Sequence, residues 1–175
     1  MLEQIFNLPQ FLGVLAFILG VLSFYQRNDR KLKIVMLVQN LTYMSHFILL
    51  GSSVSALSSL LSACRTATSI YVSSKYVALF FVIIGIVFGY TVADSFWQFF
   101  PIFGTTIGTI SLFLLKGIPM RLLMLVGSGC WLTNNILVGS FGGILLESTV
   151  IVMNSITILR LVLQNREKQQ YVSKR

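Results

Sequence analysis

Apolar residues dominate seven long stretches of this chain, Leu8 to Tyr25, Ile34 to Leu50, Val54 to Val72, Tyr76 to Val92, Phe99 to Leu115, Leu122 to Val138 and Ile144 to Leu163, with short polar breaks between them. Several approach the ~20 residues that a helix needs to cross the hydrocarbon of a bilayer. They lack the alternation of polar and apolar positions that marks a barrel strand, and they are longer than such strands. The pattern predicts an all-α membrane protein of seven transmembrane helices, because in lipid the helix satisfies every backbone polar group within one segment.

The polar positions inside these stretches are ordered. Ser52, Ser55, Ser59, Ser62, Thr66, Ser69 and Ser73 recur at steps of three and four, so one face of the third helix is small and hydroxylated throughout. Such a face belongs against other helices, where small side chains allow close approach and hydroxyls find partners.

A displacement of 88 positions lays the chain on itself without a gap: Gly20 meets Gly108, Ser23 meets Ser111, Met36-Leu37-Val38 meets Met124-Leu125-Val126, and Gly51-Ser52 meets Gly139-Ser140. The expected organisation is a three-helix repeat (1–73), a linker helix (74–97), a second three-helix repeat (98–163) and a basic tail (164–175). One linking helix leaves both repeats facing the same way, so they are expected to be parallel. The serine register of the third helix maps onto Ser140, Gly143, Glu147, Val150, Asn154 and Thr157 of the seventh.

Charge orients the bundle. Apolar residues make up 55% of the 175 positions and charged residues 10%, with a mean hydropathy of +0.84 and a formal charge of +8. Arg27, Arg30, Lys31 and Lys33 follow the first stretch, Lys75 the third, Lys116 and Arg121 the fifth, and Arg166, Lys168, Lys174 and Arg175 the seventh. The other ends carry only Glu3 and Asp94. The positive-inside rule then places the N-terminus outside and the C-terminus inside. Basic residues clustered at helix ends are a topology signal, so nucleic acid is not an expected partner; the bilayer is. The start of the chain lacks a basic segment and a small-residue cleavage site, and is expected to be retained.

WLTNNILVGS followed by Asn154 is similar to the second repeat of the PQ-loop and SWEET transporter superfamily, a resemblance that implies the 3+1+3 arrangement and pocket-lining roles for Trp131 and Asn154. The proline-glutamine pair of that superfamily reads Tyr25-Gln26 and Leu114-Leu115 here. HFILLG, the Arg65 region, LLKGIPMRLLM, CWLTNN, GSFGGILLES and MNSITILRL resemble, over most of the chain, the YgjV family of bacterial inner-membrane proteins. That resemblance implies a multi-pass inner-membrane protein and brings no activity with it.

Candidate chemistry is sparse. No zinc-protease motif, phosphate loop, metal-binding carboxylate cluster or nucleophile with a base is present, so neither an enzyme nor a bound cofactor or metal is expected. Cys64 and Cys130 lie singly in apolar runs and read as packing residues. Arg65 sits in mid-span, where insertion costs roughly 2.5–3.5 kcal/mol, and so requires a partner or a wet cavity. Two uses are open for it: an ion pair with Glu147, or a site for a small polar or anionic solute lined by Arg65, Thr66, Trp131, Glu147 and Asn154. His46, Asn134, Asn135, Ser59 and Ser62 read as interhelical hydrogen-bonding groups, with a proton-relay role for His46 as the alternative. Gly85-x-x-x-Gly89 and Gly104-x-x-x-Gly108 fit internal packing and homo-oligomer formation equally. A small-solute transporter is the expected function, and a non-transporting membrane module that binds a protein or lipid is the alternative.

Overall fold

The computed structural model describes residues 7–24, 29–72, 74–115 and 117–173; Glu3, Tyr25, Gln26, Arg27, Ser73, Lys116, Lys174 and Arg175 lie outside them. The described residues form seven α-helices, one short 3-10 turn and no strand: α1 (Leu8–Phe24), α2 (Asp29–Leu49), α3 (Ser53–Tyr71), α4 (Lys75–Val92), a turn at Phe96–Gln98, α5 (Phe99–Leu114), α6 (Gly117–Leu137) and α7 (Phe141–Ser173). Each helix covers one of the seven apolar stretches.

Local chemistry sets the helix ends. Asn7 caps α1 by accepting the Gln10 N–H at 3.1 Å, and Pro9 sits in the first turn, where a missing N–H costs nothing. Ser74 caps α4 through the Tyr76 N–H. α2 and α6 end in the same way. Gly51 and Gly139 adopt φ of 74° and 69°. Around them Gly51 N–H donates to Ile48 and Ser52 N–H to Phe47, while Gly139 N–H donates to Ile136 and Ser140 N–H to Asn135. These are two Schellman motifs 88 positions apart, and each needs the left-handed residue that glycine supplies.

α7 runs for 33 residues, through most of the basic stretch 164–175, to Ser173. No proline or glycine follows Gly143, and Gln, Arg, Glu and Lys are good helix formers. At 1.5 Å per residue the helix is roughly 50 Å long and outreaches the hydrocarbon core. α2 and α6 likewise begin earlier than the apolar pattern, at Asp29 and Gly117.

α2 packs between α1 and α3, and α6 between α5 and α7; α1 also packs against α7, α3 against α5, and α4 against α5 and α3. The inside is more polar than the outside. Ser55, Ser59, Ser62, Thr66, Thr105, Thr109, Asn134, Asn135 and Ser140 are buried, whereas α1 exposes Leu8, Phe11, Leu15, Ile18 and Leu22 and α4 exposes Leu79, Phe80, Ile83, Ile86 and Val87. A protein surrounded by lipid gains nothing by hiding leucine, and its polar groups must pair internally. Two segments, Lys75–Val92 and Phe141–Leu163, are long and apolar enough by length and composition alone to cross a membrane.

The paired glycines serve internal packing. A methyl at Gly85 would meet Leu61 and one at Gly89 would meet Ile102; one at Gly104 would meet the Trp131 ring and one at Gly108 the Arg65 guanidinium.

Candidate functional site

The polar interior is built where the first three helices meet the last three. At the Gly51/Gly139 end, His46 of α2 is completely buried. Its Nδ1 lies 2.6 Å from the Pro9 carbonyl oxygen and its Nε2 2.6 Å from Ser140 Oγ. A carbonyl can only accept, so Nδ1 carries the proton and Nε2 accepts from the serine. Ser140 Oγ in turn accepts the Gly143 N–H at 3.1 Å and caps α7. Gln10 of α1 holds the same turn at two points: its Nε2 donates to the Gly139 carbonyl at 2.7 Å, and its Oε1 accepts the Phe141 N–H at 3.1 Å. The opposite junction has a related link, in which Ser55 Oγ of α3 donates to Asn134 Oδ1 of α6 at 2.8 Å and shares a second contact with Ser52.

Deeper in the bundle lies an aromatic and amide cluster. Trp131 stacks on Phe47 with ring centroids 5.9 Å apart, and Tyr43 meets Phe47 edge-on at 5.1 Å. Ala16, Ala56 and Leu146 complete the packing. Asn135 points at α7, where a methyl on Gly143 would strike its amide. Glu147, one turn along α7, is half-buried. Several buried polar atoms of the interior have no partner among the described residues: Tyr43 Oη, Ser59 Oγ, Asn134 Nδ2 and both amide atoms of Asn135. A buried polar atom without a partner costs about 1–3 kcal/mol.

Arg65 is placed apart from this cluster. It is 8% exposed, and its Nη1 donates to Thr109 Oγ1 at 3.0 Å and to the Thr105 carbonyl at 3.4 Å, lying along the bare backbone of Gly108 on α5. Among the described residues its hydrogen bonds go to α5 and not to Glu147. Thr66, its neighbour, turns to α2 and accepts from Asn40 Nδ2 at 3.4 Å. Asn154 is buried near the middle of α7 and accepts from Arg121 Nη1 at 3.1 Å. Of the expected solute-binding residues, Trp131 packs on Phe47, while Arg65, Thr66 and Asn154 occupy separate contacts. Ser62 is buried on the same face of α3 as Ser59. Cys64 is exposed and Cys130 half-buried, both as free thiols.

Sequence reasoning did not single out Tyr43 or Gln10. A signal for Tyr43 existed, because the 88-residue displacement pairs it with Trp131. Gln10 carries none, since its partners are backbone atoms of a turn 129 residues away.

The all-helical fold, with polar groups inside and apolar side chains outside, fits a helical membrane protein. The chain belongs to the YgjV family: the family described as bacterial inner membrane protein, Imp-YgjV, matches residues 7–165. It is 32% identical over 153 residues to inner membrane protein YgjV of Escherichia coli strain K12, which covers 87% of this chain and 84% of that protein. No solved structure matches.

Proposed function

We propose that this protein is a small-solute carrier of the inner membrane. All seven helices cross the bilayer, with the N-terminus outside and the C-terminus inside, and two parallel repeats, α1–α3 and α5–α7, flank a polar site. The paired Schellman turns and the equivalent contacts of α1 with α7 and of α3 with α5 support the repeat. The observation that carries the carrier reading is Asn135, completely buried on α6 against Gly143 of α7 with both amide atoms unpartnered, in an interior where the Tyr43 hydroxyl is equally bare. A lone amide offers an NH2 donor group and an acceptor oxygen to a polar, hydrogen-bonding solute, and Trp131 stacked on Phe47 supplies a flat apolar wall. Rocking of one repeat against the other would expose this point alternately to the two sides.

The competing reading, a membrane module whose polar faces are sealed and which binds a protein or lipid, draws support from Arg65 and His46, both of which hydrogen-bond inside the bundle.

Uptake by the purified protein in liposomes, screened over radiolabelled sugars, amino acids and small organic anions, separates the two. A carrier accumulates at least one of them above empty liposomes, and Asn135→Leu abolishes that uptake while the protein still inserts. A sealed module takes up none.

A further inference from the structure

α4 links the two groups of three helices, and it is one of the two segments long and apolar enough to cross a membrane. Its contact with α5 is uneven along its length. Toward the C-terminal end of α4 the backbone comes close to its neighbours: a methyl at Gly89 would strike the Ile102 side chain of α5, and one at Gly85 would meet Leu61 of α3. At the other end, where α4 begins and α5 finishes, a cavity of about 360 Å³ lies between Lys75, Tyr76, Leu79 and Val82 of α4 and Ile110 and Leu114 of α5. That volume falls in the range of about 300–1,000 Å³ typical of sites for small molecules. Tyr76, Leu79 and Leu114 are 73%, 56% and 52% exposed, so the cavity is a groove open to the outside of the bundle. In a membrane protein that outside is lipid.

The groove is apolar along its length and charged at one end. On α4 its wall runs from Tyr76 to Val82, about 9 Å of helix, and on α5 Ile110 and Leu114 stand one turn apart. Lys75 is exposed at the mouth. Its ammonium lies 5.4 Å from the Tyr76 ring centroid and has no carboxylate partner among the described residues. The first turn of α4 holds no acidic residue, so the positive end of the helix dipole adds to the same sign.

These features select the occupant. A free anion would leave the apolar walls unfilled, and an uncharged lipid would leave Lys75 unmatched. A second copy of the chain, docked groove to groove about a two-fold axis, would set its own Lys75 at the same depth, like charge against like. We infer that the groove between α4 and α5 binds an anionic phospholipid, with one acyl chain between Leu79, Val82, Ile110 and Leu114 and the phosphate at Lys75. Basic pockets between transmembrane helices hold anionic head groups in this way, and tyrosine belongs at head-group level. In the orientation proposed above, the head group lies in the cytoplasmic leaflet. The site rests on the membrane location of the chain and not on transport.

Native mass spectrometry of the detergent-purified, delipidated protein tests this. The protein is titrated with dioleoyl phosphatidylglycerol and, separately, with dioleoyl phosphatidylethanolamine, which has the same chains and no net charge. The expected result is a first phosphatidylglycerol adduct that forms about fivefold more tightly than the phosphatidylethanolamine adduct, the effect of one basic residue at the membrane surface. Lys75→Gln should abolish that preference and Lys75→Arg should keep it. Val82→Trp, which fills the groove, should remove the first adduct with both lipids. Lys75 is exposed, so Lys75→Gln is expected to fold and carries the test even if Val82→Trp fails to accumulate. Equal binding of the two lipids by the unaltered protein overturns the inference, as does a preference that Lys75→Gln leaves intact. A dimer that Val82→Trp dissociates, with no lipid adduct at any concentration, overturns it in favour of a second copy.

Discussion

His46 Nε2 and Ser140 Oγ, 94 residues apart in the chain, meet at 2.6 Å in the interior of the bundle. Through this pair, α2 of the first three helices grips the turn that starts α7, and the same serine caps that helix. Interhelical hydrogen bonds in membranes contribute modestly one by one, about 0.6 kcal/mol on average and up to about 1.7. Here the pair shares its geometry with Pro9 and Gly143, so its coupling should fall at the high end. A double-mutant cycle of His46→Ala and Ser140→Ala, read by thermal or denaturant unfolding in detergent, is expected to give a coupling of about 1–2 kcal/mol. Strict additivity of the two changes would refute the link.

Backbone contact between α1 and α7 makes a sharper prediction. A methyl on Gly142 would strike the carbonyl group of Gly13, whereas one on Gly129 of α6 meets nothing within 4 Å. Gly142→Ala must push two helices apart and is expected to lower the melting temperature strongly or prevent accumulation of folded protein. Gly129→Ala should be neutral or stabilising, by up to about 1 kcal/mol from helix propensity. Melting curves of the two variants side by side make the comparison.

Arg65 offers a test through its partner. Thr109→Val removes the 3.0 Å acceptor from a buried guanidinium and keeps the side-chain shape, so a loss of about 1.5–3 kcal/mol in stability is expected. The double variant Arg65→Met, Thr109→Val replaces the charged pair by apolar groups and should recover most of that loss, since buried charges contribute little net stability against well-packed hydrophobic substitutes. If the double variant is less stable than Thr109→Val alone, Arg65 has interactions beyond α5.

The two Schellman turns should respond alike. Gly51→Ala and Gly139→Ala each force a Cβ into the left-handed region and meet no neighbour, so the cost is backbone strain alone, about 1–2 kcal/mol in each case. Equal losses in the unfolding free energy of the two variants are expected. A large inequality would mean that the turns differ in their surroundings despite their common geometry.

Orientation is checked in cells. Fusion of green fluorescent protein to Arg175 should fluoresce and fusion of alkaline phosphatase there should be inactive, because the proposed topology puts that end in the cytoplasm. Active phosphatase at the same position would reverse the topology.

The seven helices were legible in the sequence because hydrophobic stretches bounded by glycine, serine and basic residues are local signals, and in lipid a local signal of sufficient length decides the element. Helix ends were less legible. α7 continues to Ser173 because propensity, which hydropathy does not measure, carries the helix past Leu163. The buried faces of α3 and α7 were also readable, since the periodicity of serine, threonine and asparagine assigns them to the interior whatever they touch.

What the sequence by itself determined is therefore the class of protein, the helix count, the 88-residue correspondence and the list of polar groups that must be inside. Which of those groups meet was decided by tertiary structure alone. Arg65 and Glu147, the two ionisable residues most easily joined on paper, form no ion pair among the described residues, because α3 presents Arg65 to the bare backbone of Gly108 and the hydroxyl of Thr109. Sequence periodicity assigns a residue to a face of its helix. The neighbour that the face receives depends on how close the backbones come, and that distance is set here by glycines opposite His46, Leu146, Trp131 and Arg65.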